Sequence, residues 1–360
     1  MKVVVIGGGA AGFFSAIHAK ENYPEAEVVI LEKTSKVLAK VKISGGGRCN
    51  VTNACTSIKE LTAAYPRGGK FLKPLFKEFS TTETREWFES RGVPLMVQED
   101  QCIFPVSQDS QSIIDCLFKQ VNDLGITVLL KHAVHKIEQS DGKFTLSIGK
   151  EDQTMDADKV IVATGGSPKL SGLDWLADLG HTISPPVPSL FTFNMPIESI
   201  TELMGVVVNP AKVSIQGTKL ISQGPLLITH WGMSGPAILK MSAFGARVME
   251  ELSYNCVAQV NWVNIKNNNE LAEKLNGIIQ AHPKKYLSSI RPFDLPNRLW
   301  LFLIDRAGLT PEKPWSELGK KGVNALIRIL SNDEYQVNGK TTFKEEFVTC
   351  GGVSLSLIHI

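Results

Sequence analysis

Residues 2–12 read Lys-Val-Val-Val-Ile-Gly-Gly-Gly-Ala-Ala-Gly, and this stretch decides the fold of the N-terminal part of the chain. The β-branched run predicts a strand buried on both faces of a parallel sheet. The glycines satisfy the pattern G-x-G-x-x-G. Gly7 permits a tight turn, Gly9 lets the backbone approach a pyrophosphate, and Gly12 lets the following helix pack closely on the strand. We therefore predict a Rossmann unit that binds a dinucleotide.

The next thirty residues support this prediction. A helix is expected to about residue 22, with the amides of Ala10 and Ala11 facing the phosphates. A second strand over residues 27–31 ends at Glu32, twenty residues after Gly12. A carboxylate at this spacing accepts hydrogen bonds from ribose hydroxyls, whereas a 2′-phosphate would call for a basic residue. The ligand is therefore expected to be FAD or NAD rather than NADP.

A later stretch favours FAD over NAD. Residues 158–166, Asp-Lys-Val-Ile-Val-Ala-Thr-Gly-Gly, predict a buried strand with a tip of small residues, where backbone can lie close to a cofactor. It resembles the second signature of two-dinucleotide-fold flavoproteins. Strands expected over residues 127–137, 143–148 and 153–156 form a small meander before it. The tip residues expected to bind FAD are Ala163, Thr164, Gly165 and Gly166.

Residues 40–53, Lys-Val-Lys-Ile-Ser-Gly-Gly-Gly-Arg-Cys-Asn-Val-Thr-Asn, form a second candidate cofactor segment. Three successive glycines can turn several backbone amides toward one anion, and Arg48 adds a positive charge. A flexible surface loop is the alternative. The residues expected to bind FAD here are Lys40, Ser44, Gly45, Gly46, Gly47, Arg48, Cys49 and Asn50, and Lys33 and Val134 complete the expected set.

These motifs, with Phe-Pro-Val-Ser at residues 104–107 and Gly-Pro-Leu-Leu-Ile-Thr-His-Trp-Gly-Met-Ser-Gly-Pro-Ala-Ile-Leu at residues 224–239, carry a family resemblance. The chain resembles the BaiN-like, aminoacetone-oxidase-like NAD(P)/FAD-dependent oxidoreductases over nearly its whole length. The resemblance implies an α/β fold: a GR2-type Rossmann FAD domain formed by residues 1–187 and 342–360. An inserted domain, β-barrel-like in one part and helical in the other, would occupy residues 188–341. The resemblance does not define a substrate.

The insert has its own sequence signals. The prolines at 185, 186 and 188 predict a stiff extended connector. Strands are expected over residues 190–194, 206–215, 226–229 and 254–263. Helices are expected from an N-cap at Ser234 through Val248, and over residues 270–280, 296–307 and 316–330. His230 is a candidate proton donor or acceptor; alternatively, Ser234 merely caps its helix and Trp231 packs at the domain interface.

Length and composition limit the possible functions. The chain has 360 residues, which suggests two domains, and a net charge of +2. That charge predicts neither a nucleic acid partner nor an anionic membrane partner. Paired lysines at 284–285 and 320–321 are interpreted as solvated surface. No long apolar run or signal peptide is found. The six cysteines contain no C-x-x-C pair and are expected to be reduced thiols, so a cytoplasmic protein without a metal is expected.

The predicted activity is hydride transfer between flavin and a small organic substrate or NAD(P)H. Alternatively, the substrate reduces the flavin and oxygen reoxidises it. A flavin-dependent disulfide reductase using Cys49 and Cys55 is a second possibility, but no second G-x-G-x-x-G follows to dock NAD(P)H. A flavin-binding redox sensor without turnover and a flavin-dependent RNA modifier are further alternatives. The near-neutral charge argues against RNA.

The C-terminal residues give one more expectation. Residues 347–355 predict a strand returning to the FAD domain, and residues 356–360 do not resemble the continuation of the family. The resemblance implies a closing strand and helix beyond this point. We therefore expect that the chain is truncated and that it binds FAD weakly.

Overall fold

The computed structural model describes residues 1–149, 153–341 and 348–354. They divide into two compact units. Unit 1 comprises Met1–Pro186 and the described residues of Gly351–Ile360, and unit 2 comprises Val187–Cys350. The chain passes between the units in two strands, Ile183–Ser189 and Val348–Val353, which pair with each other. The prolines of the expected connector lie in the first of these strands.

Unit 1 is an α/β unit. Its strands and helices, in chain order, are β1 (Lys2–Ile6), α1 (Ala10–Asn22), β2 (Glu27–Glu32), α2 (Ala39–Ile43), β3 (Thr52–Asn53), α3 (Ile58–Ala63), α4 (Gly69–Glu78), α5 (Thr81–Glu89), β4 (Leu95–Val97), β5 (Cys102–Pro105), α6 (Gln111–Asp123), β6 (Thr127–Leu130), β7 (Val134–Ser140), β8 (Lys143–Ile148), β9 (Gln153–Ala157), β10 (Lys159–Val162), α7 (Asp174–Ala177) and β11 (Ile183–Ser189).

A four-stranded parallel sheet in the order β10-β1-β2-β6 organises this unit. Alternate residues of β1 serve opposite faces of the sheet. Val3 and Val5 pack in a cluster with side chains of α1 and α6, whereas Val4 and Ile6 pack against the antiparallel meander β7-β8-β9. Because both faces are covered, all four side chains are buried. The prediction of a Rossmann-type domain is confirmed.

The prediction of one strand in unit 1 is wrong. Residues 127–137 do not form a single strand: β6 ends at Leu130 and β7 begins at Val134. The break lies at Lys131, whose φ of +60° is incompatible with a continuous strand. The first part joins the parallel sheet beside β2, and the second part begins the meander.

Unit 2 is built on a seven-stranded antiparallel sheet. Its elements, in chain order, are β12 (Thr192–Asn194), β13 (Val207–Ile215), β14 (Ile221–Thr229), β15 (Gly232–Ser234), α8 (Pro236–Phe244), α9 (Ala246–Glu251), β16 (Asn255–Asn261), α10 (Asn268–Ala281), α11 (Asn297–Arg306), α12 (Gly319–Ser331), β17 (Asp333–Asn338), β18 (Lys340–Thr341) and β19 (Val348–Val353). The sheet order is β17-β16-β13-β14-β15-β12-β18. Its core contains three fully buried tryptophans, Trp262, Trp300 and Trp315, packed among aliphatic side chains.

Two expectations for the helix after residue 234 are corrected. The N-cap is Gly235, with a φ of +89°, and Ser234 instead ends β15. The helix also does not continue to Val248, because it is interrupted at Gly245 between α8 and α9. A Cβ atom on Gly245 would lie 2.5 Å from the Leu220 side chain, so close packing accompanies this break.

Residues 355–360, on which the expectation of a truncated end depends, lie outside the described residues, as does Phe347. Within the described chain, no helix is long and apolar enough to span a membrane.

Candidate functional site

The turn after β1 brings the two predicted cofactor motifs together. Gly7 has a φ of +115°, and its amide donates to the Leu31 carbonyl at 2.8 Å. A Cβ atom on Gly7 would overlap the Ala163 carbonyl oxygen and lie 3.0 Å from the Thr164 nitrogen. The tip of β10 therefore lies directly on the first glycine of the fingerprint. Gly12 is equally constrained, because its Cβ would overlap the Gly7 carbonyl oxygen.

The N-terminus of α1 is open and uncapped. Its N-cap residue, Gly9, offers no side-chain hydrogen bond, and the first turn holds no acidic residue. A Cβ on Gly9 would meet no described atom within 4 Å, and Ala10 and Ala11 are exposed. The first backbone amides of a helix lack intrahelical partners. This geometry fits a phosphate group, which the helix dipole also favours.

The Glu32 carboxylate lies against the same turn. Its Oε2 accepts the Gly8 amide at 2.9 Å, and its Oε1 accepts the Thr34 amide at 2.8 Å. Each oxygen still has capacity for a further donor, such as a ribose hydroxyl. The Glu32 carbonyl accepts the amide of His132 at 2.9 Å, which places half-buried Val134 two residues further along the chain. Lys33 is exposed.

Residues 44–50 form a compact loop after α2. Ser44–Gly47 is a short 3₁₀ turn in which Gly45, Gly46 and Gly47 have φ values of +57°, +70° and +86°. A Cβ on Gly45 would lie 2.7 Å from both the Asn50 nitrogen and the Phe104 ring. The next two glycines meet no described atom within 4 Å. The loop is thus anchored on one side and open on the other.

Arg48 is held in place within this loop. Its guanidinium carbon lies 4.2 Å from the centre of the Phe104 ring. Its Nε donates to the Gly45 carbonyl, and its Nη1 donates to Gln108 Oε1, both at 3.2 Å. These contacts fix the position of a positive charge next to Cys49. Phe104 and Gln108, which were not among the expected site residues, therefore support the site.

A cavity of about 470 Å³ opens between this loop, α1, α5 and α6. It is lined by six of the residues expected to bind FAD: Ala10, Ala11, Lys40, Ser44, Cys49 and Asn50. The rest of its lining was missed by sequence reasoning: Phe14, Val41, Val51, Phe79, Thr84, Phe88, Ile113 and Leu117. Helical periodicity marks several of these as inward-facing, but it does not tell which inward side chains border a cavity.

Comparison with known proteins identifies the family of this chain. The family described as HI0933-like protein Rossmann domain matches residues 1–360. The chain belongs to this family. Membership in the HI0933-like family supports the assignment of this chain to the Rossmann flavoproteins, in the class of FAD-dependent oxidoreductases.

Named relatives of this HI0933-like chain differ in their stated substrates. A ribosomal RNA dihydrouridine synthase of Escherichia coli is 28% identical over 97% of this chain and 84% of its own length. A 3-dehydro-bile acid delta(4,6)-reductase of Clostridium scindens is 24% identical over 99% of this chain and 88% of its own length. Among solved structures, a 3-ketosteroid-delta4-(5alpha)-dehydrogenase of Rhodococcus jostii RHA1 is 13% identical over 98% of this chain and 84% of that chain, with a TM-score of 0.45.

Cys49 and Cys55 form no disulfide, and both are free thiols. Cys49 is buried and has a φ of +63°, which is uncommon for a residue with a side chain. Burial raises the pKa of the Cys49 thiol, so the reactive thiolate is disfavoured. Cys55 Sγ lies 3.5 Å from the Ser57 carbonyl oxygen. Cys49 therefore lacks the environment of a low-pKa redox thiol.

His230 lies in unit 2, in the tight turn between β14 and β15. It is exposed and makes an edge contact with the neighbouring Trp231 ring, with 4.5 Å between the ring centres. Trp231 Nε1 donates to Thr192 Oγ1 at 2.9 Å. This hydrogen bond holds the Trp231 side chain within unit 2.

Proposed function

We propose that this protein is an FAD-dependent oxidoreductase that binds FAD across the β1–α1 turn. The observation that carries this proposal is the contact of Gly7 with Ala163 beside the uncapped end of α1. In this arrangement, the first amides of α1 bind the pyrophosphate and Glu32 accepts hydrogen bonds from the adenosine ribose. The loop over residues 44–50 lies further along the cofactor, where Arg48 supplies a fixed positive charge.

The proposed reaction is hydride transfer between flavin and a small organic substrate. Bound FAD supplies the redox chemistry, and the protein binds, orients and shields the reacting groups. The Escherichia coli and Clostridium scindens relatives have different substrates by name, but both names describe a reduction. One relative makes a dihydrouridine, and the other reduces a delta(4,6) bile acid. We therefore propose, as the substrate class, an electron-poor carbon–carbon double bond conjugated with a carbonyl group.

The source of electrons is proposed to be NAD(P)H, which would visit the flavin transiently. Oxidation of a substrate followed by reoxidation with oxygen is the competing scheme. A disulfide reductase is disfavoured by the buried Cys49, whose raised pKa opposes thiolate formation. A redox sensor without turnover shares the same FAD site and differs only in catalytic rate. We propose a cytoplasmic location for each of these schemes.

The first experiment is a cofactor titration of the purified chain. FAD should bind with shifted flavin absorbance and quenched fluorescence, and FMN should not replace it because FMN lacks the adenosine that Glu32 contacts. Preferential binding of NAD would overturn the cofactor assignment.

The second experiment tests turnover under anaerobic conditions. NADH or NADPH should bleach the flavin, and a conjugated enone should restore its colour, whereas an isolated alkene should not. Bleaching without reoxidation by any enone would contradict the proposed substrate class. No bleaching by either nicotinamide would favour the oxygen-linked scheme or the sensor.

A further inference from the structure

The helical hairpin α3–α4, residues 58–78, concentrates the positive charge of the chain. It contains five basic residues, Lys59, Arg67, Lys70, Lys73 and Lys77, and two acidic residues, Glu60 and Glu78. The hairpin thus has an excess of three positive charges, whereas the whole chain has an excess of two. The rest of the chain therefore carries one more negative than positive charge. The small net charge of the whole chain therefore does not reveal the local excess of positive charge on this hairpin.

The basic side chains converge on one groove. The groove between the two helices has a volume of about 870 Å³, and it is lined by Lys59, Arg67, Lys70 and Lys73. Lys70, Lys73 and Lys77 follow one another at spacings of three and four residues, which places them on one face of α4. Among the described residues, Lys59, Lys70, Lys73 and Lys77 form no ion pair with a carboxylate. Their charge is available to an anionic partner.

The hairpin keeps its shape through a close backbone contact. A Cβ on Gly69 would lie 2.6 Å from the Thr62 carbonyl oxygen, and Gly68 has a φ of +77°. These two glycines allow α4 to begin against the end of α3. The groove is therefore set by the backbone, and it does not depend on long side chains folding over one another.

Apolar and aromatic side chains border the basic surface. Phe71 lies within the groove and is half-buried. None of the residues in α4 is fully buried, and Leu75 is 49% exposed. Tyr65 is 44% exposed and packs on Phe76, with 5.5 Å between the ring centres. Basic side chains that follow a phosphate backbone, together with an aromatic ring on which a base stacks, are the usual elements of single-strand binding surfaces.

We propose that the α3–α4 groove binds single-stranded RNA. The exposed Tyr65 ring and the half-buried Phe71 ring offer surfaces on which bases can stack, which favours a single-stranded nucleic acid over an anionic membrane. The choice of RNA over other polyanions rests on the proposed function, because a uridine is one of the conjugated carbonyl compounds considered above. The evidence that the groove is basic does not depend on the proposed function. This inference opposes the expectation, drawn from net charge, that nucleic acid is not a partner.

The test uses the full chain and a fluorescently labelled, uridine-containing 20-nucleotide RNA. Fluorescence anisotropy at 50 to 200 mM salt compares the wild type with the triple variant Lys70→Gln/Lys73→Gln/Lys77→Gln. The matched control, Lys284→Gln/Lys285→Gln/Lys320→Gln, removes the same charge from exposed positions of unit 2. We expect the hairpin variant to bind about tenfold more weakly, and its log–log salt slope to shrink by up to about 2. The control should change affinity less than about twofold.

A second variant, Phe71→Leu, keeps every charge. It should weaken binding by about fivefold through lost stacking and leave the salt slope unchanged. Circular dichroism of each variant checks that the fold is retained. Equal weakening by the two triple variants, or no binding by the wild type at 50 mM salt, would overturn the proposal. Binding to phosphatidylserine vesicles without RNA binding would assign the groove to membranes instead.

Failure of this inference is distinguishable from failure of the proposed function. Anisotropy reports RNA binding without turnover, and flavin bleaching reports the redox function without RNA.

Discussion

A Cβ atom on Gly7 would overlap the carbonyl oxygen of Ala163, so the turn after β1 and the tip of β10 are in direct backbone contact. The two residues belong to sequence motifs separated by most of unit 1, and the parallel pairing of β1 with β10 brings them together. The Ala163 amide donates to the Ile6 carbonyl at 2.8 Å, which extends that pairing into the turn. Gly7 is therefore required by the fold itself, independently of cofactor binding.

Replacement of Gly7 and of Gly9 by alanine should separate folding from cofactor binding. Gly7→Ala forces a methyl group onto Ala163 at a φ of +115°, and it should destabilise the fold by roughly 1–3 kcal/mol. Gly9 has an ordinary φ of −89° with open space at its Cβ. Gly9→Ala should leave stability nearly unchanged and weaken FAD binding at least tenfold. Chemical denaturation and FAD titration measure the two effects. Unchanged FAD affinity in Gly9→Ala would contradict the proposed phosphate position.

Glu32 should contribute both to FAD binding and to the local fold. Glu32→Ala removes the acceptor for the Gly8 and Thr34 amides as well as the proposed ribose contact. We expect FAD binding to weaken by roughly 1–3 kcal/mol and the melting temperature to fall. Glu32→Gln retains one carbonyl acceptor and should lose less of both. An alanine variant with wild-type FAD affinity would show that Glu32 supports only the turn.

The cysteine pair should be dispensable. If Cys49 and Cys55 are not a redox centre, the double serine variant should retain any NAD(P)H oxidase or diaphorase activity. Cys49 should also react slowly with iodoacetamide at pH 7, because burial raises the pKa of its thiol. Each single variant serves as a control for packing at the other position. Loss of activity together with a reversible disulfide in the wild type would restore the disulfide-reductase hypothesis.

Asp333 should be a main determinant of the stability of unit 2. It is fully buried and accepts hydrogen bonds from Trp262 Nε1 at 3.0 Å, from Arg306 at 2.8 and 3.0 Å, and from the Tyr335 hydroxyl. Asp333→Ala leaves these donors without their acceptor and should cost about 3–5 kcal/mol. Exposed Glu334 is the control, and Glu334→Ala should cost less than about 1 kcal/mol. Urea denaturation followed by tryptophan fluorescence measures both, and equal costs would contradict this assignment.

Alkaline pH should destabilise unit 2 through Cys256. Burial raises the pKa of this thiol to about 11. An unfolded chain releases the thiol proton near pH 9, while the folded chain retains it. The contribution of this thiol to the free energy of unfolding is therefore fully present below pH 9 and is lost as pH rises toward 11. We expect the loss to be about 1–2 kcal/mol, since the residue is partly exposed. Cys256→Ala should show a smaller fall in unfolding free energy between pH 8 and pH 10.5. An identical fall in both proteins would contradict the prediction.

The two halves of the chain differ in how well their sequence predicted structure. Unit 1 was predicted well at its start, since β1, α1 and β2 have the expected bounds within one residue. Errors appeared where a single residue with positive φ interrupts an apolar pattern, as at Lys131. In unit 2, the short strands β15, β17 and β18 were not predicted. Their pairing with distant strands, as of β17 with β16, has no local signal.

The sequence by itself determined the Rossmann unit, because glycine spacing, strand composition and the position of Glu32 are local properties within one short segment. It also marked the loop over residues 44–50, whose three glycines have positive φ values. Tertiary structure alone decided that Ala163 lies on Gly7, that α5 and α6 complete the cavity beside Cys49, and that four basic side chains line one groove. These are contacts and charge distributions in space. Local periodicity carries no information about which distant side chains meet, and a net charge averages over the surface on which the charges are distributed.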